Sequence, residues 1–237
     1  MSNPFFRFKQ FTVFQGKCAM KVGIDGVLLG AWTDVSDVNH ILDIGIGTGL
    51  ITLMLAQRCK AVITGIDIDL QAIEQAKENV GISPWSNRIK VLQKSVQEFS
   101  EITNIKFDLI VSNPPYFINS LKNPSESRTT ARHTVSLTHE ELILSSKKLL
   151  TKAGRICLIL PVNEGLQCAD FAEKNGLFIS KLVRVKPTPT SISKRLLLEF
   201  RNEIADKNES EIIIESGIRH EYSTEFSGLV SDFYLKL

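Results

Sequence analysis

Three features of this 237-residue chain predict an α/β protein built on one Rossmann-like, doubly wound and mostly parallel sheet. From residue 39 onward, short apolar runs alternate with helical patterns at the spacing of βαβ units. A glycine-rich turn, Gly45-Ile46-Gly47-Thr48-Gly49, follows the first of those runs. Late in the chain the alternation stops, and two apolar runs follow each other with no helix between them, which makes them antiparallel neighbours.

Taken in order, residues 5–14 interleave rings and bases as Phe5, Phe6, Arg7, Phe8, Lys9, Phe11 and Phe14, with the alternation of a short strand. Two uses are open for it: an RNA-facing ribbon on which bases stack, or a hairpin whose rings pack on the core. In Met20 to Trp32, two glycines around Asp25 predict a tight loop, and Val27 to Trp32 a small-residue helix. Such a loop lids a cofactor or merely connects.

The sheet strands expected are His40 to Gly45, Ala61 to Asp67, Ile89 to Leu92, Phe107 to Ser112, Arg155 to Leu160, Phe178 to Lys186 and Arg195 to Arg201. That makes seven strands, with one antiparallel strand near the C-terminus. Helices fall at Leu50 to Arg58, Leu70 to Val80, after Thr138 and near Glu164 to Lys174. Thr138 with Glu141 spells a capping box, in which hydroxyl and carboxylate satisfy orphan N–H groups reciprocally; the helix it opens is expected to run to Leu150 and to stop at Gly154. Ile212-Ile213-Ile214 suggests an extra edge strand. The organisation is one domain: an extension over 1–38 with hairpin and lid, a core sheet over 39–202, and a C-terminal piece over 203–237.

Composition narrows the function classes. At 43% hydrophobic and 23% charged, the chain can bury a full core. A net charge of +2 does not announce nucleic-acid binding, so a polyanionic partner would need a local basic patch. Cys18, Cys59, Cys157 and Cys168 form no C-x-x-C pair. They read as reduced core thiols of a cytoplasmic protein, not as a disulfide frame or a metal site. Residues 1–5 hold no apolar signal core, and no stretch nears the ~18 apolar residues of a membrane span.

Two stretches carry the chemistry. The first is Asp43 to Gly49, where Gly45, Gly47 and Gly49 let the backbone turn sharply and a ligand approach closely. Its G-x-G-x-G spacing differs from the G-x-G-x-x-G of dinucleotide enzymes. Asp67 closes the second strand, near the ~20-residue separation expected of an acid that binds ribose hydroxyls. The second stretch is Ser112-Asn113-Pro114-Pro115-Tyr116, at the carboxyl end of an apolar strand. Asn113 and the Pro114 carbonyl make two acceptors suited to a planar amine, with Tyr116 as an aromatic wall. Hydrogen bonds from both N–H groups would favour a pyramidal nitrogen and free its lone pair. As a bare tetrapeptide, Asn-Pro-Pro is also an ordinary turn.

Jointly these motifs resemble the class I S-adenosylmethionine-dependent methyltransferases, over roughly residues 20–202. The resemblance implies that Asp43 to Gly49 holds the methionine part of S-adenosylmethionine, that Asp67 holds its ribose, and that Asn113 to Tyr116 is the turn of amino-group methylation. Many members carry an acid after the third strand; here Lys94-Ser95-Val96 stands there, and Ser95 is the residue left to contact the cofactor. The flanks, Phe6 to Val13, Met20 to Trp32, and Arg128, Ala131, Arg132 and His133 after the Asn-Pro-Pro-Tyr-Phe run, are similar to the bacterial tRNA1(Val) adenine-37 methyltransferase family, although Ile24 stands where Thr is usual.

That closer resemblance implies methylation of the exocyclic N6 amine beside the anticodon, with tRNA as partner, no metal and a monomer. Lys21, Gly23, Asp25 and Gly26 would line the cofactor site, which Asn113 also borders. Arg128, Arg132 and His133 would meet the RNA from the polar segment Ser120 to Thr134. Beside that resemblance, the residues themselves offer Tyr116 as the aromatic wall and Arg7 and Lys9 as the bases of the ribbon for RNA contact. A base at His133 is not needed by the mechanism, and His40, His139 and His220 read as structural or exposed. Rival readings are a release-factor glutamine methyltransferase, which typically carries a helical amino-terminal domain, another RNA or DNA adenine methyltransferase, and an inactive RNA-binding module.

Overall fold

A computed structural model describes residues 3–18, 20–114, 137–204, 206–218 and 221–236. Strands β1 (Phe5–Arg7) and β2 (Thr12–Phe14) form a separate antiparallel ribbon. The core then runs α1 (Ile24–Trp32), β3 (His40–Ile44), α2 (Leu50–Arg58), β4 (Val62–Asp67), α3 (Leu70–Gly81), β5 (Ile89–Gln93), α4 (Val96–Ile102) and β6 (Phe107–Ser112). It continues with α5 (His139–Leu149), β7 (Leu150–Pro161), α6 (Val162–Lys174), β8 (Phe178–Lys186), β9 (Arg195–Arg201), β10 (Asn208–Ile213) and α7 (Thr224–Val230).

The main sheet has the order β10-β8-β9-β7-β6-β3-β4-β5. Only β9 opposes its neighbours, pairing antiparallel with both β7 and β8. The seven expected strands are all present, and β10 extends them to eight by pairing parallel with β8. Period-2 alternation divides the core into two layers. Ile41, Leu109 and Val111 face a cluster with α1, α2, α7 and the ribbon, whereas Leu42, Ile110 and Leu158 face α4, α5 and α6.

Three expectations change. Asp25 lies in the first turn of α1 and not in a loop, because the helix already begins at Ile24. Gly154 does not end α5: β7 begins at Leu150 and the glycine lies within the strand. A Cβ at 154 would stand 2.8 Å from the Leu150 side chain and 2.9 Å from the Phe107 carbonyl, so Gly is needed for close packing beside the register shift between Phe107 and Leu109. The C-terminal piece also contains α7, capped by Ser223 accepting from the Phe226 N–H.

Candidate active site

The chain leaves β3 for β4 on one side of the sheet and returns to β6 on the other, which makes the carboxyl end of β3 the topological switch point where α/β sheets bind ligands. Ile44 is paired in register with Ile66 of β4 and with Ser112 of β6. The next residues of the three strands, Gly45, Asp67 and Asn113, therefore leave the sheet side by side. Ser112, fully buried, ties two of these ends by donating its hydroxyl to the Ile44 carbonyl at 2.7 Å.

The glycine turn needs its glycines. Gly45, Gly47 and Gly49 have φ of +75°, +54° and +84°, a region that costs other L residues roughly 1–2 kcal/mol each. The N–H groups of Gly45 and Ile46 both donate to the Ile66 carbonyl, at 2.9 and 3.0 Å. A Cβ on Gly45 would meet nothing within 4 Å, so the turn presents bare backbone to open space there. Gly65 in β4, which the sequence did not flag, is as necessary: its Cβ would fall 2.1 Å from Ile46 Cδ1.

Two carboxylates flank the turn. Asp67 accepts from the Gly47 N–H through Oδ2 and from the Asp69 N–H through Oδ1, both at 3.0 Å. Burial raises its pKa against the pull of those bonds. Each oxygen keeps a lone pair for a further donor, which suits ribose hydroxyls. Asp69 itself caps α3 by accepting from the Gln71 N–H. Asp43 is inaccessible; its Oδ2 accepts from Thr52 Oγ1 at 2.7 Å, and its Oδ1 has no partner among the described residues. Burial pushes its pKa up to about 7. An unpartnered buried carboxylate oxygen under an open glycine turn fits a ligand that brings a cationic ammonium, as the methionine part of S-adenosylmethionine does.

The extension up to residue 22 covers this half of the site. Buried Asn79 of α3 accepts from the Phe14 N–H and donates to both the Phe14 and Thr48 carbonyls, so one amide joins β2 to the glycine turn. Lys17 is held by Glu78 at 2.6 Å and by Glu74 at 3.6 Å, and its N–H donates to Gln75 Oε1. The thiol of Cys18 is pushed up to about 11 by burial and by the charges of Asp67 and Asp69. Lys21 donates to the Gln15 and Cys18 carbonyls, which braces this stretch from within.

The remaining cofactor candidates divide by role. Gly23 caps α1 with φ −132° and would leave a Cβ no closer than 3.9 Å to other protein atoms, so the fold does not itself require glycine there. Gly26 does serve the fold: its Cβ would stand 3.0 Å from Leu50 Cδ2, where α1 and α2 pack closely. Asp25 pairs with Arg195 at the start of β9, at 2.8 Å, and so links α1 to the far side of the same sheet edge. Ser95 is the N-cap of α4, in a capping box with Glu98. Its oxygen accepts from the Glu98 N–H, and the hydroxyl hydrogen and a second lone pair remain for a ligand. The Ser-x-x-Glu spacing carried that signal, but α4 was not anticipated from it.

On the acceptor side, Asn113 is half-buried and Pro114 buried. Tyr116, Arg128, Arg132 and His133 lie outside the described residues. Arg7 is exposed on β1. Lys9 is committed to the fold, donating its ammonium to the Ser231 carbonyl at 2.7 Å and its N–H to the Phe233 carbonyl at 2.8 Å. His139 is buried and its pKa is lowered by burial, whereas His40 is half-buried at the start of β3. Among the described residues no group of three His, Cys, Asp or Glu is placed to hold a metal, and no helix is long and apolar enough to cross a membrane.

Residues 25–175 match the methyltransferase small domain family. Among solved structures, a predicted O-methyltransferase from Agrobacterium tumefaciens superposes with a TM-score of 0.68 at 19% identity, covering 88% of this chain and 96% of that one, which speaks to the fold. Two curated relatives match over 100% of both chains: the tRNA1(Val) (adenine(37)-N6)-methyltransferases of Parabacteroides distasonis, at 50% identity, and of Bacteroides fragilis, at 47%. The small-domain match takes in the glycine turn, Asp67 and the Asn-Pro turn, and the full-length matches add the ribbon and β10; the chain belongs to the tRNA1(Val) (adenine(37)-N6)-methyltransferase family.

Proposed function

We propose that this protein transfers a methyl group from S-adenosylmethionine to the N6 amine of adenine 37 in tRNA1(Val). The observation that carries the chemistry is the in-register pairing of Ile44 with Ser112, which sends the glycine turn and the Asn-Pro turn out of adjacent strands at one level. Family membership supplies the substrate.

In this reading Gly45, Gly47 and Gly49 offer backbone to the methionine part of the cofactor, the charge of Asp43 lies beneath it, and Asp67 accepts from the ribose. Gly23, Lys21 and Ser95 complete its surroundings, with Asp25 and Gly26 setting the pitch of α1 behind them. When bound, S-adenosylmethionine supplies an electrophilic methyl on a sulfonium. Turning adenine out of the RNA stack costs a few kcal/mol, which an aromatic face at Tyr116 offsets by ~1–3 kcal/mol of stacking. Asn113 Oδ1 and the Pro114 carbonyl accept the two N–H groups of the amine. That draws the nitrogen away from planarity and aims its lone pair at the cofactor side. Positioning carries the rate; the methylated nitrogen then gives up its extra proton to water, so no side-chain base is required. Arg128, Arg132 and His133 meet the RNA beyond the catalytic turn.

We take the enzyme to act as a monomer in the cytoplasm, where four unpaired thiols fit a reducing compartment. The test is product mapping. Unmodified tRNA1(Val) and labelled cofactor should yield N6-methyladenosine at position 37 and nothing when that base is replaced by guanine. A label found on protein, on DNA or at another nucleotide overturns the assignment.

A further inference from the structure

The amino-terminal ribbon has a use that the site itself does not explain. Phe5 is paired with Phe14 and Arg7 with Thr12. Directly paired residues share a face, and neighbours along a strand point to opposite ones. Phe5, Arg7, Thr12 and Phe14 therefore form one face, and Phe6 and Val13 the other. The second face turns toward the core: Val13 is inaccessible, and Phe6, although 36% exposed, packs on Phe8 and Tyr234 with ring centroids 4.7 and 5.9 Å away. Phe8 and Phe11, stacked at 4.6 Å, are buried beneath it. On the first face Phe5 and Phe14 stay 40% and 42% exposed, with centroids 6.0 Å apart, and exposed Arg7 stands beside them.

Charge points to the partner. Residues 1–24 hold four of the chain's 28 lysines and arginines and none of its 26 acids, so they carry +4 while the remainder of the chain carries −2. Three of these cations are occupied by the fold: Lys17 by glutamates of α3, and Lys9 and Lys21 by carbonyls. Arg7 has no acidic partner among the described residues. A second copy of the chain pairing this face with itself would set Arg7 against Arg7. Two exposed rings and a guanidinium on one flat face match what single-stranded nucleic acid asks of a protein: π-faces for bases and a cation for phosphate.

We propose that the Phe5–Arg7–Phe14 face is an accessory docking surface for unpaired nucleotides of the RNA substrate, outside the methyl-transfer site. The proposal rests on tRNA as the partner in the proposed function, not on the methyl transfer, and adds a second contact region to it. It also settles the two uses that residues 5–14 left open, since the ribbon serves both, one on each face.

The experiment compares wild type with Phe5→Leu/Phe14→Leu, which keeps apolar bulk but removes both π-faces, and with Arg7→Gln. Affinity for unmodified tRNA1(Val) is read by fluorescence anisotropy across a salt series, beside cofactor affinity, thermal stability and kcat. The double variant should bind RNA about tenfold or more weakly, with cofactor affinity and Tm unchanged, and Phe5→Tyr/Phe14→Tyr should restore binding. Arg7→Gln should lower the slope of log affinity against log salt by about 0.7. RNA affinity within twofold of wild type overturns the proposal. So does a loss that comes only with a fall in Tm, or a wild-type dimer that the double variant dissolves. A wild type that binds tRNA without methylating it refutes the catalytic reading and leaves this one standing.

Discussion

The two halves of the proposed site are built by different means. Main-chain geometry shapes the donor half: three positive-φ glycines, two N–H groups on the Ile66 carbonyl, and a carboxylate gripped by the Gly47 and Asp69 amides. The acceptor half begins one residue after a strand end that is paired in the sheet and further tied to its neighbour by a side-chain hydroxyl, Ser112 on the Ile44 carbonyl. A turn made of backbone tolerates little change in residue type but is rigid by construction. An acceptor made of one side chain and one carbonyl is easy to abolish without disturbing its neighbour, so the two halves should fail separately.

The largest effect should follow Asn113→Ala. Removing one of two acceptors is expected to lower kcat on the order of a hundred- to thousandfold, while calorimetry finds cofactor affinity within about twofold. A parallel loss of cofactor affinity would mean that the halves are not separable. Gly47→Ala should show the converse. A left-handed φ of +54° strains alanine by roughly 1–2 kcal/mol; the empty turn sheds that strain by relaxing and the cofactor must restore it, so the cofactor dissociation constant should rise about tenfold, with kcat at saturating cofactor changed much less.

Ser112→Ala probes the tie between the halves. It removes the 2.7 Å bond and costs roughly 1–3 kcal/mol for the buried carbonyl left behind. Stability should fall by that amount, and kcat about tenfold as the strand end that carries Asn113 loosens against the glycine turn. An unchanged kcat in a destabilised protein would reduce Ser112 to a purely structural role.

The smallest effect is a pH slope. Asp43 in the folded protein holds its proton to about 7, against 3.8 ordinarily. Between those values the unfolded chain binds fewer protons than the native one, so stability falls as pH rises through that window. Without cofactor, the Tm of the wild type relative to that of Asp43→Asn should decline from pH 4 to 7 and level off above it. A difference that does not change with pH would show that Asp43 ionises normally.

Much of this architecture is legible in the residues because local signals agree with the fold. The glycine turn sits between an apolar strand and an apolar helix, Asp67 ends a strand, and Thr138 with Glu141 writes its capping box into the spacing. Other features depend on residues that meet only in space. Gly65 matters because Ile46 leans over it, Gly26 because Leu50 crosses it, and Asn79 because β2 passes close enough for its amide to pair with Phe14. The ribbon shows the same limit in reverse. Its aromatic count is obvious from the sequence, but only the pairing of Phe5 with Phe14 tells which rings face outward.

The central claim is that donor and acceptor turns open on one crevice. A crystal structure with S-adenosylhomocysteine and the anticodon stem-loop of tRNA1(Val) tests it most directly. The account predicts adenine 37 flipped, its N6 within about 3 Å of both Asn113 Oδ1 and the Pro114 carbonyl, and the cofactor sulfur on the Gly45–Gly49 side at a separation that one methyl group would bridge. An adenine bound away from Asn113, or a cofactor bound away from the glycine turn, would contradict it.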